Sequence, residues 1–148
     1  MTDLEKARAL LEDGSFGNCI LYSNGVIHTS KGQGISPMLE FLAAGINMRG
    51  FSAADTVAGK ALALLFACAG ISEVYAGIMS RGAVGVFERF EIRCVYGKLV
   101  GEIKNRANTD ICPMERAVEN ISEPEEAYEV LKNLFNQLKL IPHAPNGL

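Results

Sequence analysis

The chain contains no tryptophan, and only two histidines and four cysteines among its 148 residues. The shortage of histidine excludes the most. His28 falls on a predicted hairpin and His143 in a C-terminal tail, so neither belongs to a converging set. A zinc site needs three or four S, N or O ligands at converging spacings, and none is visible. A Ser-His-Asp arrangement fails for the same reason. Cys19, Cys68, Cys94 and Cys112 are far apart with no C-x-x-C pair, so thiols are expected rather than a disulfide framework. Basic clusters are missing too. Fourteen Lys and Arg against seventeen Asp and Glu give a net charge of −3, which argues against a non-specific nucleic-acid binder. The apolar stretch from Ala61 to Ile71 is far short of the roughly 20 apolar residues a bilayer requires. The start, MTDLEKARALLEDG, reads as a charged helix and not as a signal peptide. The expectations are a cytoplasmic protein with no metal, no cofactor and no membrane contact, its self-association left open.

About half of the chain is apolar, enough for one core, so residues 1–148 are expected to form a single domain. Thr2 and Glu5 form a capping box for a first helix from Asp3 to about Glu12, which Gly14 ends. CILYS and VIHTS flank Asn24-Gly25, a strong hairpin signal. Ser36 as N-cap and Pro37 at the first helical position open a short helix, MLEFLAAG.

Val57 to Ile71 reads VAGKALALLFACAGI, which predicts a largely buried helix capped by Ser52, with Asp55 completing a capping box and Gly70 ending it. EVYAGIM is a strand, and after Ser80-Arg81-Gly82 comes the short helix AVGVFERF. IRCVY and LVGEI around Gly97-Lys98 predict a second hairpin or a bent pair. Cys112-Pro113 opens the helix MERAVENI, and a C-terminal helix runs over about 122–140. Five strands interleaved with helices predict an α/β three-layer sandwich, a mixed sheet with helices on both faces.

Lys60 is the only charge in its apolar helix. A buried ammonium needs a partner or a water-filled cleft, and Asp55 is the first candidate, with Glu115 the second. The small neighbours Ala58, Gly59, Ala61 and Ala63 leave little room for the stem to reach solvent, although a lysine covering apolar surface is the alternative. Asp55 is explained equally by its capping position. Cys112, as N-cap before Pro113, faces unpaired N–H groups that favour a thiolate; it also reads as a small buried residue. Glu115 opposes activation by competing for the same donors. The loop Lys31-Gly32-Gln33-Gly34-Ile35-Ser36 resembles an anion cradle, with Gly32, Gly34 and Ser36 offering backbone and hydroxyl groups; a plain connecting loop is the other reading. Asn105 and Arg106 follow a strand, where α/β proteins place ligand contacts, and a surface arginine is the alternative.

The segments SKGQGISPMLEFL, ADTVAGKALALL, VYAGIMS and EIKNR…ICPMERAV resemble a family of small prokaryotic proteins known as a domain of unknown function and placed in the cytidine-deaminase-like fold. The resemblance covers roughly residues 15–130, with D-x3-GKA and NR-x5-CPME as its specific parts. It implies a five-stranded mixed sheet between helices. In zinc deaminases a His-Ala-Glu motif opens the first helix after the hairpin, and Pro-Cys-x-x-Cys opens the helix after the third strand. The corresponding positions look like Asp55 with TVAGK, and Ser80-Arg81-Gly82, where every zinc ligand is missing. The resemblance thus implies a cleft shared by Asp55, Lys60 and Ser80 without deaminase chemistry, and Cys112, Asn105 and Arg106 are expected to reach it.

Three functions follow as expectations. The first is a metal-independent protein that binds or acts on a nucleotide-like small anionic ligand, with Cys112 as nucleophile and Lys60 or Arg106 holding the anion. The second is a carrier or accessory protein moving sulfur on Cys112. The third is a non-catalytic regulatory module.

Overall fold

The computed structural model describes residues 1–105 and 107–139. Helix α1 (Asp3–Asp13) starts at the capping box read from the sequence. The Thr2 hydroxyl accepts the Glu5 N–H at 3.1 Å, and the Glu5 carboxylate accepts the Thr2 N–H at 3.3 Å. Strands β1 (Cys19–Ser23) and β2 (Val26–Ser30) pair antiparallel around Asn24-Gly25, both at positive φ, as a two-residue hairpin turn requires. Helix α2 (Ser36–Ala43) follows, its N-cap being Ile35 and not the expected Ser36.

The first large correction comes at Ser52–Ala58. The sequence reading made this the approach to the Lys60 helix; it is strand β3, and helix α3 (Lys60–Ala69) begins only after Gly59. The Ser52 hydroxyl, expected to cap that helix, donates instead to Glu73 Oε1 at 2.9 Å. Strand β3 is central in the sheet, and Ala53, Ala54 and Ala58 are fully buried. A strand covered on both faces loses its polar alternation, and alanines carry no strand preference of their own, so its pattern resembles a buried helix. Gly70 ends α3 as read.

Strand β4 (Glu73–Ser80) and helix α4 (Arg81–Arg89) stand where expected. The second correction is at Gly97-Lys98, which does not turn: β5 (Arg93–Val100) is one continuous strand. A Cβ on Gly97 would lie 2.8 Å from the Gly77 carbonyl oxygen of β4, so this glycine permits a close backbone approach within the sheet. Helix α5 (Pro113–Ala117) and helix α6 (Pro124–Lys139) complete the described chain.

The sheet order is β2-β1-β3-β4-β5; β1 is antiparallel to β2 and β3, and β3, β4 and β5 are parallel. It is therefore a five-stranded mixed open sheet, as the element count predicts, although two of the five strands differ from those read. On one face α1 packs Leu4 and Ala7 against Ile20, Ala54 and Tyr75. The main core lies on the other face, where Met38 of α2, Phe66 of α3, Phe87 of α4 and Leu131 of α6 are fully buried together. The parallel order sends the carboxyl ends of β3, β4 and β5 to one rim, where α3 and α4 begin. That rim carries the cavity. Among the described residues, no helix is long and apolar enough to cross a membrane.

Candidate functional site

The site begins with Asp55. On β3 it is paired with Cys19 of β1 and Ala76 of β4, and it is 4% exposed. Its carboxylate accepts the backbone N–H groups of Val57 and Thr56 and the Cys19 thiol, with the Thr56 hydroxyl at 3.5 Å. Burial outweighs these donors and raises its pKa from 3.8 to about 7. Cys19 is pushed up as well, by burial first and then by the Asp55 charge.

Asp55, Thr56 and Val57 open onto a cavity of about 340 Å³. Its second wall is Asn18 with Gln33, Gly34 and Ile35, and its floor includes Gly59, Ala61 and Leu62. The segment after β5 closes it with Ile103, Lys104, Cys112, Met114 and Glu115. That segment folds back on itself through the Lys104–Ile111 bridge and a 2.9 Å bond from the Cys112 N–H to the Ile103 carbonyl.

Glu115 has the least expected position. It was read as an N3 carboxylate serving its own helix, yet it caps a different one. Its Oε1 accepts the Lys60 N–H at 2.8 Å and its Oε2 the Ala61 N–H at 2.7 Å, so it supplies the cap that Gly59 lacks for α3. A Cβ on Gly59 would collide with Glu115 Oε1 and lie 2.8 Å from Ile103 Cγ1. Burial pushes the Glu115 carboxyl up against the opposing pull of the Ala61 and Lys60 N–H groups and the Lys60 charge.

The residues singled out from the sequence divide accordingly. Asp55, Gly34 and Cys112 line the cavity. Cys112 is half-buried at the N-cap of α5, as read, but α5 is only five residues long and offers little dipole. Lys60 is half-buried, and its ammonium donates to the Glu119 backbone carbonyl at 3.1 Å. Among the described residues the ammonium forms no ion pair, and Glu115 accepts the Lys60 backbone N–H instead. Ser80 is buried as the N-cap of α4, accepting the Ala83 N–H at 3.1 Å, and is committed to that cap. Gly32 donates to the Ser30 hydroxyl at 3.0 Å, and Ser36 donates to the Gln33 carbonyl at 3.0 Å, so the supposed cradle is a loop closed on itself. Asn105 bonds Thr109 through both ends of its amide. Arg106 lies outside the described residues. Among the described residues no three His, Cys, Asp or Glu side chains stand together so as to hold a metal ion.

Sequence reasoning missed Asn18, Gln33, Lys104 and above all the cap made by Glu115. One signal was present: a helix starting directly after Gly59 has no capping side chain of its own and must find an acceptor elsewhere.

The family of the TM1506 domain of unknown function (DUF1893) matches residues 6–135. The chain belongs to the DUF1893 family. The match spans every residue that lines the cavity. A crystal structure of a DUF1893 family protein from Thermotoga maritima superposes with a TM-score of 0.78 at 21% identity, covering 91% of this chain and 89% of that one. At that identity the likeness shows the shared DUF1893 fold. No curated protein matches the sequence.

The two segments drawn from the deaminase resemblance stand on other elements than expected. The first helix after the hairpin is α2, and the helix after the third strand is α3. Asp55 with TVAGK spans the end of β3 and the start of α3, and Ser80-Arg81-Gly82 opens α4, so neither segment opens the helix that the resemblance names.

Proposed function

We propose that this DUF1893 protein binds a small polar molecule in the cavity at the carboxyl end of β3, and that Asp55 exchanges a proton with it while Cys112 presents a nucleophilic sulfur. The observation that carries this reading is Asp55: a carboxyl 4% exposed, facing a cavity, with a pKa of about 7. A group that titrates near neutrality can both give and take a proton at working pH. Asp55 serves as general acid or base, Cys112 lines the same cavity, and Gln33 orients the ligand. The nucleotide-like anion expected from the sequence relied on Lys60 or Arg106; the Lys60 ammonium is engaged by the Glu119 carbonyl, Arg106 lies outside the described residues, and Lys104 is the lining cation among the described residues. A metal-independent reaction belongs to the same reading, and a cytoplasmic location suits the thiol. A cytidine-deaminase-like fold belongs to the same proposal. Its support is the five-stranded mixed sheet, with the helices after the hairpin and after the third strand both starting beside the cavity.

The test is made on both groups. In a carbon-detected NMR titration, the Asp55 carboxyl is expected to show a midpoint near pH 7; a midpoint near 4 would remove its proton-transfer role. In competitive alkylation at about pH 7, read by mass spectrometry, Cys112 is expected to label severalfold faster than the other three thiols. Cys19 is fully buried, and burial raises the thiol pKa of Cys68 and Cys94. Equal labelling would end the nucleophile assignment and leave a binding module. Persulfide accumulating on Cys112 would point to sulfur transfer.

A further inference from the structure

We infer that Glu115 is the specificity-determining residue of the cavity: it acts as an internal anion that excludes phosphate- and carboxylate-bearing ligands and leaves the site to neutral or cationic N–H donors of the amidine class. The inference rests on the reading of the cavity as a ligand site. A ten-residue helix whose first turn faces a cavity ordinarily attracts an anion, because its leading N–H groups lack partners. In this chain the position is already taken. The Glu115 carboxylate bridges the Lys60 and Ala61 N–H groups at 2.8 and 2.7 Å from 55 and 54 residues away.

Its fit is tight. Gly59 has no room for a Cβ beside Glu115 Oε1, so the carboxylate fills the space that a side chain at position 59 would occupy. Met114, next to it in α5, is 2% exposed and anchors the segment in the core. An incoming phosphate would have to expel a tethered carboxylate with a built-in concentration advantage and then sit close to it. Lys104 is the one positive side chain among the described lining residues. A planar N–C–N unit faces the opposite situation. Its N–H donors can use the lone pairs that the Glu115 oxygens keep beyond the Lys60 and Ala61 bonds, and the apolar walls of Ile35, Val57 and Ile103 suit a flat body.

The experiment uses the full chain labelled with nitrogen-15, with inorganic phosphate and benzamidine as probes. In the unsubstituted protein benzamidine is expected to move cavity amides saturably, while phosphate leaves the Lys60 and Ala61 amides in place. In Glu115→Ala phosphate is expected to shift those two amides saturably, at least about tenfold more tightly than before substitution. Glu115→Gln keeps the size and removes the charge, and it carries the test if the alanine variant does not fold. Phosphate binding at Lys60 and Ala61 in the unsubstituted protein, unchanged by either substitution, would overturn the inference. Phosphate binding only in the variants, with benzamidine silent throughout, would keep Glu115 as the anion barrier and overturn the cavity as a site for cationic donors. The Asp55 titration, which uses neither probe, fails or succeeds independently.

Discussion

Asp55→Asn is expected to stabilise the protein near pH 8 and to remove most of a stability loss that the unsubstituted chain shows as pH rises from about 4 to about 7. The folded carboxyl holds its proton up to about 7, whereas the unfolded one releases it near the ordinary aspartate value of 3.8. Between those values the folded state binds more protons, so rising pH favours unfolding. The contribution is fully present below 3.8, falls through the window and stays lost above about 7. Roughly three units correspond to about 4 kcal/mol as an upper limit. Asparagine avoids that cost but brings an NH2 group into a pocket of donors, where the Thr56 and Val57 N–H groups and the Cys19 thiol already point. An unsatisfied donor costs about 1–3 kcal/mol, so a net gain of roughly 1–3 kcal/mol is expected near pH 8. Urea unfolding at a series of pH values measures the difference between the two proteins, which cancels the other titrating groups. Glu115, also raised by burial, leaves a shallower slope of the same sign in the variant. A difference that does not grow between about pH 4 and about pH 7 would show that Asp55 ionises normally and would remove the observation behind the proposed chemistry.

Gly59→Ala is expected to be strongly destabilising for a single added methyl. The Gly59 backbone, at φ −102°, suits alanine, so the cost is steric and electrostatic and not conformational. The new Cβ would displace the Glu115 carboxylate and press Ile103. Overpacking costs about 1–3 kcal/mol, and weakening two charge-assisted bonds adds a comparable amount, for a total of roughly 3–5 kcal/mol. Glu115→Ala alone should cost about 2–4 kcal/mol, since the Lys60 and Ala61 N–H groups lose their acceptor. The double variant is the discriminating member, because alanine at 59 then occupies space that Glu115 has vacated. It should be more stable than additivity requires by at least about 1 kcal/mol. Denaturant unfolding of the four proteins completes the cycle. Additive effects would mean that the two residues do not share the space the structure assigns them.

Cys112 shows how far the site was legible in advance. Its place before Pro113 follows from local chemistry, and the structure puts it at the N-cap on the cavity wall. The length of its helix was not legible, since Ala117 to Ile121 carry the same helical signals whether or not the chain turns away. Asp55 was singled out for the wrong local reason, as a capping-box acid, although it is a strand residue buried against Cys19. Lys60 shows the opposite failure. A lone charge in an apolar run implied burial, but the segment's first turn sits at the sheet rim, where the stem reaches the Glu119 carbonyl.

The sequence by itself determined the features whose hydrogen bonds close within a few residues: the Thr2–Glu5 box, the Asn24-Gly25 turn, the stop at Gly70 and the proline-led start of α5. Each needs only its neighbours, so spacing and residue type suffice. Only the tertiary structure decided that Ser52–Ala58 is a central strand, that β5 runs straight through Gly97, and that a glutamate from α5 caps α3. Those outcomes depend on partners 20 to 55 residues away, such as Glu73 against Ser52, Gly77 against Gly97 and Glu115 against Lys60. A buried alanine, a glycine and a carboxylate each fit several local conformations. The groups brought opposite them by the fold select one.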